Sequence, residues 1–356
     1  MRVLNGYIIS SAIYGCLITL ACTSGAAHKK QNADIPQAES GDSVVAMQDT
    51  AVSPPPPPPP PTLDTAGYRR LLLHMVHDSA SARWPVAEKQ LPLPGALLPF
   101  HRIIAYYGNF YSTRMGILGE LQPDSMLAKL QGEVKAWQEA DTTVKTIPAL
   151  HYIVVSAQGQ PGKAGMYRLR MPFTQIEKTL ELAAKIDAIV FLDIQVGQST
   201  LQKEVPELEK YLSMPNVHLA VDPEFSMKTG KVPGSIIGTF DATDINYTTQ
   251  YLANLVKEHN LPPKILVIHR FTKGMITNYK DIALRPEVQI VMDMDGWGFP
   301  AKKVNSYKLA VGSEPVQFTG FKLFYKNDIK TPPWKTIMSP KDVLKLYPKP
   351  MYIQYQ

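Results

Sequence analysis

Residues 188–196, AIVFLDIQV, form a short, nearly unbroken apolar run that closes with Asp193 and Gln195, two residues apart. Directly before it, TQIEKTLELAAKI (residues 174–186) spaces apolar residues as a helix does. It opens with Thr174 and Glu177, the pairing of a capping box. A helix feeding a continuously apolar strand is part of a βαβ unit. Such strands lie in parallel sheets whose outer face is covered by helices.

The pattern recurs. With AIVFLDIQV, the strand-like runs are Arg102–Tyr107 (RIIAYY), Ala149–Ser156 (ALHYIVVS), Val217–Glu224, Ser235–Phe240 (SIIGTF), Ile265–Phe271 (ILVIHRF), Val288–Asp295 (VQIVMDMD) and Phe318–Tyr325 (FTGFKLFY), eight in all. Between them, Pro123–Ala140 carries helical spacing at Met126, Leu127, Leu130 and Val134 behind a cap at Asp124 or Ser125. Residues 241–259 and 300–310 are further helices, residues 206–212 a short one, and the stretch after Phe271 is weakly helical. Eight such units over some 230 residues predict an α/β fold, a (β/α)8 TIM-like barrel. The rival is an open doubly wound sheet, but YYGNFYSTRMG after the first strand lacks the G-x-G-x-x-G spacing of a dinucleotide site. Ahead of the barrel (residues 98–356), Tyr68, Leu71, Leu72, Met75 and Val76 share one side of a helix in an extension spanning residues 65–97.

In such a barrel the active site lies at the carboxyl ends of the strands. Those ends are polar here. The third strand offers Asp193 and Gln195, and the fourth Asp222 and Glu224, which alternation places on one side. The fifth runs into Asp241 and Asp244, the sixth gives His269 and Arg270, and the seventh Asp293 and Asp295. The eighth adds Lys322 and Tyr325, and the first Tyr106, Tyr107 and Asn109. Each has a plain alternative. Asp241 or Asp244 suits a helix N-cap, Asp222 can bond loop amides beside Pro223, and a lone His269 suits a hydrogen-bonded core position. Tyr106, Tyr107, Trp297 and Tyr325 suit packing, and Lys322 can neutralise an acid. Those alternatives leave the convergence unexplained, because buried carboxylates are costly unless paired. A shared pocket accounts for it.

Glu224 ending strand four and Asp293 or Asp295 ending strand seven resemble the (β/α)8 glycoside hydrolases. That family has an acid/base carboxyl at the end of strand four and a nucleophile at the end of strand seven. The resemblance is confined to these two strand ends. Pro223 stands where that family has Asn, and the strand-seven residue is Asp instead of Glu. VDPE also resembles the D-x-E ending of chitinase-like barrels without their longer run of acids. The resemblance implies Glu224, beside Asp222, as proton donor, with Asp293 or Asp295 attacking the anomeric carbon or activating water. A carboxyl separation of about 5–5.5 Å would give retention and about 6.5–9.5 Å inversion. Trp297, Tyr107 and Tyr325 would stack on sugar rings, and Asp193, Gln195, His269 and Lys322 would contact substrate. No metal and no cofactor are expected.

The amino terminus reads MRVLNGYIISSAIYGCLITLACTSG, one positive residue before an apolar run ending in small residues, the layout of a secretory signal. Leu20-Ala21-Cys22 resembles the lipobox of bacterial lipoproteins, with Thr19 a departure and Cys16 a second candidate. It implies a signal peptide over residues 1–22 and a lipidated Cys22. An ordinary cleaved signal or an uncleaved anchor is the alternative. Cys16 and Cys22 are the only cysteines, so the rest of the chain has no disulfide. Residues 23–64 are polar and aperiodic, as in disordered chains, and Pro54–Pro61 would form a polyproline II rod of roughly 25 Å. Together they read as a tether to a lipid bilayer. Thr23, rather than Asp, leans toward the outer membrane of a bacterial envelope.

The 356 residues carry 37 Lys+Arg against 31 Asp+Glu, a formal charge of +6, with no dense basic block, so no nucleic-acid partner is expected. From AYYG through LDIQ, VDPE, VIHRFT, DMDG and GFKLFY, the barrel is similar to a group of bacterial lipoproteins with no assigned activity. That resemblance implies a lipidated barrel and no catalytic residue. The expectation is a monomeric, membrane-anchored, glycosidase-like hydrolase of an envelope glycan, or else a non-catalytic glycan- or protein-binding surface lipoprotein. A metal-dependent hydrolase built on His269 with Asp193, Asp222 or Asp293 ranks lower, since His269 stands almost alone. His101 and Arg102 begin the first strand, at the wrong end for catalysis.

Overall fold

Strands β1 (His101–Gly108), β2 (Lys145–Ala157), β3 (Ile189–Ile194), β4 (Val217–Val221), β5 (Lys264–His269), β6 (Val288–Met294), β7 (Phe318–Leu323) and β8 (Tyr352–Tyr355) pair in parallel, in chain order. The computed structural model describes residues 62–356. Strand β8 pairs with β1 through Ile103 and Tyr352, which closes the sheet into an eight-stranded barrel with helices outside it. The signal peptide, Cys22 and nearly all of the linker fall outside the described residues.

The barrel does not use the eight runs as counted. Ser235–Phe240 contributes no barrel strand: Ile236 and Ile237 are exposed, and only Phe240–Asp241 pairs, with Ile276–Thr277 in a separate two-stranded ribbon. The eighth strand is Tyr352–Tyr355, near the carboxyl terminus. The acids Asp293 and Asp295 therefore close the sixth strand, not the seventh, His269 ends the fifth, and Lys322 lies on the seventh. This removes the strand-seven half of the likeness to glycoside hydrolases.

Helix α1 (Thr65–Met75), capped by Asp64, buries Tyr68, Leu71, Leu72 and Met75. They join Trp84, Leu98, Ile103 and Phe318 in one apolar cluster with the barrel interior, so this helix plugs the amino-terminal end. Arg102 is fully buried there and pairs with Asp141 at 2.9 Å, and Asp141 also meets His74 of α1 at 3.0 Å. Helix α2 (Pro123–Ala140) has the expected span but starts with Pro123 at its first position behind Gln122, not with an Asp124 or Ser125 cap. Its Trp137 donates to the Tyr355 hydroxyl at 2.9 Å and so ties the helix to β8. Helix α3 (Phe173–Ala184) begins after Pro172 without the capping box expected at Thr174. Helix α4 (Ala242–Glu258) does carry a capping box, made by Asp241 and Asp244, the N-cap role of their plain reading. Between β3 and β4 the covering is three short turns, and between β5 and β6 no helix longer than a turn intervenes. Helix α5 (Pro300–Ser306) runs on into a wide turn to Gly312 before β7.

Candidate active site

The barrel interior changes character one pleat repeat from its carboxyl end. Inward positions Ala149, Phe191, Val267, Val291 and Tyr352 belong to the lower cluster that includes α1. Two residues further along each strand stand His151, Asp193, His269, Asp293 and Gln354, all fully buried. Lys322 of β7, 3% exposed, and Tyr107 of β1, 4% exposed, complete the layer, with the Lys322 ammonium 3.7 Å from the Tyr107 ring centre. Gly320, one repeat below Lys322, makes room for it: a Cβ there would lie 2.6 Å from Asp293 Oδ1.

Asp193 sits between two imidazoles. His151 Nε2 and His269 Nε2 each lie 3.5 Å from its Oδ2. On its other side His269 Nδ1 meets Asp293 Oδ2 at 3.2 Å and Asp295 Oδ2 at 3.6 Å. Burial alone would push the His269 pKa down, but the charge of Asp193 and the surrounding carboxylates outweigh it and hold the imidazole well above its ordinary value. Burial alone would raise Asp193, but the charge of His269 and the nearness of both rings hold it well below the usual carboxylate range. His151, with Asp193 as its only acidic neighbour of note, is instead lowered to about 4 by burial.

Above this layer stand Asp222, Glu224 and Asp295. Strand β4 ends at Val221, and a tight turn over Pro223–Phe225 follows. The strand alternation that put Asp222 and Glu224 on one side therefore does not apply. Instead Asp222 Oδ1 accepts the Glu224 amide N–H at 3.0 Å, the loop bond allowed for by the plain reading. Asp222 is 3% exposed, and burial pushes its pKa well above the usual range. Glu224 stays half-buried at the rim, pushed up to about 7 by burial and by the charge of Asp295. Burial likewise raises Asp295.

Of the other expected residues, Gln195 is brought in. Its Oε1 accepts the Ala157 amide at 3.0 Å, and its Nε2 donates to the Tyr107 hydroxyl at 3.4 Å. Trp297 stands past the end of β6, 39% exposed, with the Lys302 ammonium 4.7 Å from its ring. Tyr325 is not brought in. Its hydroxyl donates to Glu133 of α2 at 2.6 Å and lies 3.0 Å from the Tyr106 hydroxyl, in the layer between barrel and helices. Arg270 points away from the mouth and is held by Glu314. His151 was missed, so His269 does not stand alone. The signal was present: in ALHYIVVS, His151 alternates with Ala149 and Ile153 and so faces the same way as Ala149. Tyr352 and Gln354 were missed with their strand.

No protein-family model and no curated protein matches the chain. Among solved structures it is similar to the spore cortex-lytic enzyme SleL of Bacillus megaterium, at 11% identity and a TM-score of 0.34, covering 81% of this chain and 67% of that one. It is also similar to the GH26 domain of an endo-β-mannanase/endo-β-glucanase from Prevotella bryantii, at 11% identity and a TM-score of 0.31, covering 82% of this chain and 88% of that one. Neither likeness assigns a residue of this chain, so the site's own geometry has to carry the functional reading.

Proposed function

We propose that the barrel is a carbohydrate-active hydrolase of the bacterial envelope, working by carboxylate acid/base chemistry and held at a membrane by a lipid on Cys22. One observation carries the catalytic part: at the mouth of the barrel the half-buried Glu224 is kept protonated near neutrality, above buried carboxyls that include Asp295. A general acid works best with a pKa near the operating pH. Two carboxyls that repel each other leave one protonated and one charged, the division of labour that glycosidic cleavage needs.

The environments divide the roles. Burial raises both carboxyls, but Asp295 Oδ2 lies 3.6 Å from His269 Nδ1, a contact that offsets part of that rise, whereas Glu224 has no hydrogen bond to its carboxyl among the described residues. Glu224 is therefore the proton donor to the leaving oxygen, and Asp295 the group that attacks the anomeric carbon or activates water. Asp293, bonded to His269, positions that imidazole. Tyr107, Gln195 and Lys322 line the mouth as contacts for hydroxyls, and Trp297 offers a stacking face at the rim.

The test is hydrolysis of envelope glycans and polysaccharides by the full-length chain in detergent micelles, beside Glu224→Gln. Loss of about 10²–10⁴-fold in turnover with the fold retained is expected for removal of a general acid. Glycan binding without turnover, unchanged by the substitution, would leave a tethered binding protein. The anchor is tested separately by metabolic labelling with a palmitate analogue, which Cys22→Ser should abolish.

A further inference from the structure

We propose that His151, His269 and Asp193 form a binding site for one divalent transition-metal ion of the zinc class, in the barrel core beneath the carboxyl-end mouth. The ligand atoms lie within 4.8 Å of one another, on three side chains that are each fully buried. Two imidazoles and a carboxylate suit zinc and its neighbours in the first transition row. Calcium and magnesium favour all-oxygen shells.

Distance separates this from a plain ion pair. An imidazole N–H closing on a carboxylate settles at about 2.7–2.9 Å. Both Nε2 atoms instead stop 3.5 Å from Asp193 Oδ2. Two ligands of one tetrahedral ion, each at about 2.0–2.1 Å from it, lie roughly 3.3–3.4 Å apart. Among the described residues, His151 Nε2, His269 Nε2 and both Asp193 oxygens have no hydrogen-bond partner, although all are buried. Buried polar atoms are nearly always bonded to something, and here two ring nitrogens face one carboxylate oxygen with none of the three bonded.

The far side of each ring is already arranged as metal-binding histidines require. His269 Nδ1 is 3.2 Å from Asp293 Oδ2, so an N–H there leaves the Nε2 lone pair toward Asp193. His151 Nδ1 is 2.6 Å from the Tyr352 hydroxyl and 3.1 Å from the Gln354 amide. Gln354 Oε1 has no partner. A half-turn of that amide places its oxygen to accept from His151 Nδ1–H, which again frees Nε2. The surroundings are rich in oxygen donors: the carboxyls of Asp222, Glu224, Asp293 and Asp295 stand near Asp193, with the Lys322 ammonium beside them.

The experiment is metal retention, independent of any turnover. The full-length chain in detergent micelles is stripped with a chelator, incubated with Zn²⁺, desalted and analysed for metal, and Zn K-edge absorption is recorded on the wild type. One equivalent of zinc with imidazole in its first shell is expected. His151→Ala and His269→Ala should each lose about 100-fold or more in affinity, and Asp293→Asn, which touches His269 but not the ion, about 10–100-fold. Glu224→Gln should retain the metal, so failure of the glycosidase reading would leave this result standing. A folded wild type that retains no zinc, a first shell without imidazole, or retention undiminished in both histidine variants overturns the proposal. The absorption measurement needs no variant and decides the matter if the alanine proteins do not fold.

Discussion

Replacing Glu224 with Gln should stabilise the protein in mildly alkaline solution, and by an amount that the site's electrostatics fix. The ordinary carboxyl value for Glu is 4.5 and the folded-state value is about 7. An acid whose pKa is raised by folding keeps its full share of stability below the unfolded value. It loses that share as pH climbs through the interval up to the folded value. From pH 5 to pH 8, at about 1.4 kcal/mol per pH unit inside that interval, the wild type should lose roughly 2.5 kcal/mol through this one side chain. Glu224 keeps some contact with solvent, which trims the expected loss to about 2 kcal/mol. Gln matches the neutral acid in shape and cannot ionise, so Glu224→Gln escapes that loss. Urea denaturation of both full-length proteins at pH 5 and pH 8 provides the assay. The gap in unfolding free energy should widen by about 2 kcal/mol in favour of the variant at the higher pH. Curves that stay parallel between the two pH values would falsify the claim that burial and Asp295 hold Glu224 protonated, and with it the assignment of Glu224 as the proton donor.

Gly320→Ala should cost about 1–3 kcal/mol, read as a lowered urea midpoint, because its Cβ would sit 2.6 Å from Asp293 Oδ1 and 3.0 Å from a ring carbon of Tyr352; an unchanged midpoint would show that the layer can yield. Lys303→Met should cost about 3–5 kcal/mol, since Lys303 is 1% exposed and pairs with Asp328 at 2.9 Å, leaving that buried carboxylate unpaired. Calorimetry at pH 7 measures it, and a loss under 1 kcal/mol would refute the pairing's importance. Deleting residues 352–356 removes the strand that closes β7 onto β1, and the truncated chain should fail to give a cooperative unfolding transition by circular dichroism.

How far the sequence was legible follows from where strand alternation holds. Inside β3, β5 and β6 it holds, and Asp193, His269 and Asp293 face the interior as read. Past a strand's end it still holds for Gln195 and Asp295 but lapses after β4 and β7. Val221 is the last residue of β4, so Asp222 turns to bond the Glu224 amide, and Leu323 is the last of β7, so Tyr325 swings out to Glu133. The run SIIGTF has strand composition, yet its backbone approaches residues 223–226 so closely that a Cβ at Gly238 would meet the Pro223 carbonyl at 2.5 Å. It is a loop fitted against the turn that carries Glu224. YIQY is only four residues long and follows Pro348 and Pro350, too short a run to mark a strand by composition. Their burial comes wholly from neighbours distant in sequence: β1, β7 and Trp137.

Those two strand errors bear on mechanism, because a miscount moves every later strand round the barrel. With Asp293 and Asp295 on β6, only β5 separates their strand from β4 and its Glu224, a nearer placement than a strand-seven nucleophile would have. His269 ends the strand between them, within reach of Asp193 on one side and of Asp293 and Asp295 on the other. The imidazole is thus the cation shared by the acids of β3 and β6. The same strands show what stability alone would have favoured, since one repeat lower the inward residues are Phe191, Val267 and Val291. Replacing buried ionic groups with well-packed apolar ones is often neutral or stabilising. The barrel instead carries acids and imidazoles in that layer, with buried atoms left unpartnered. That layer is what the proposed metal site and proton donor require, and what packing alone does not.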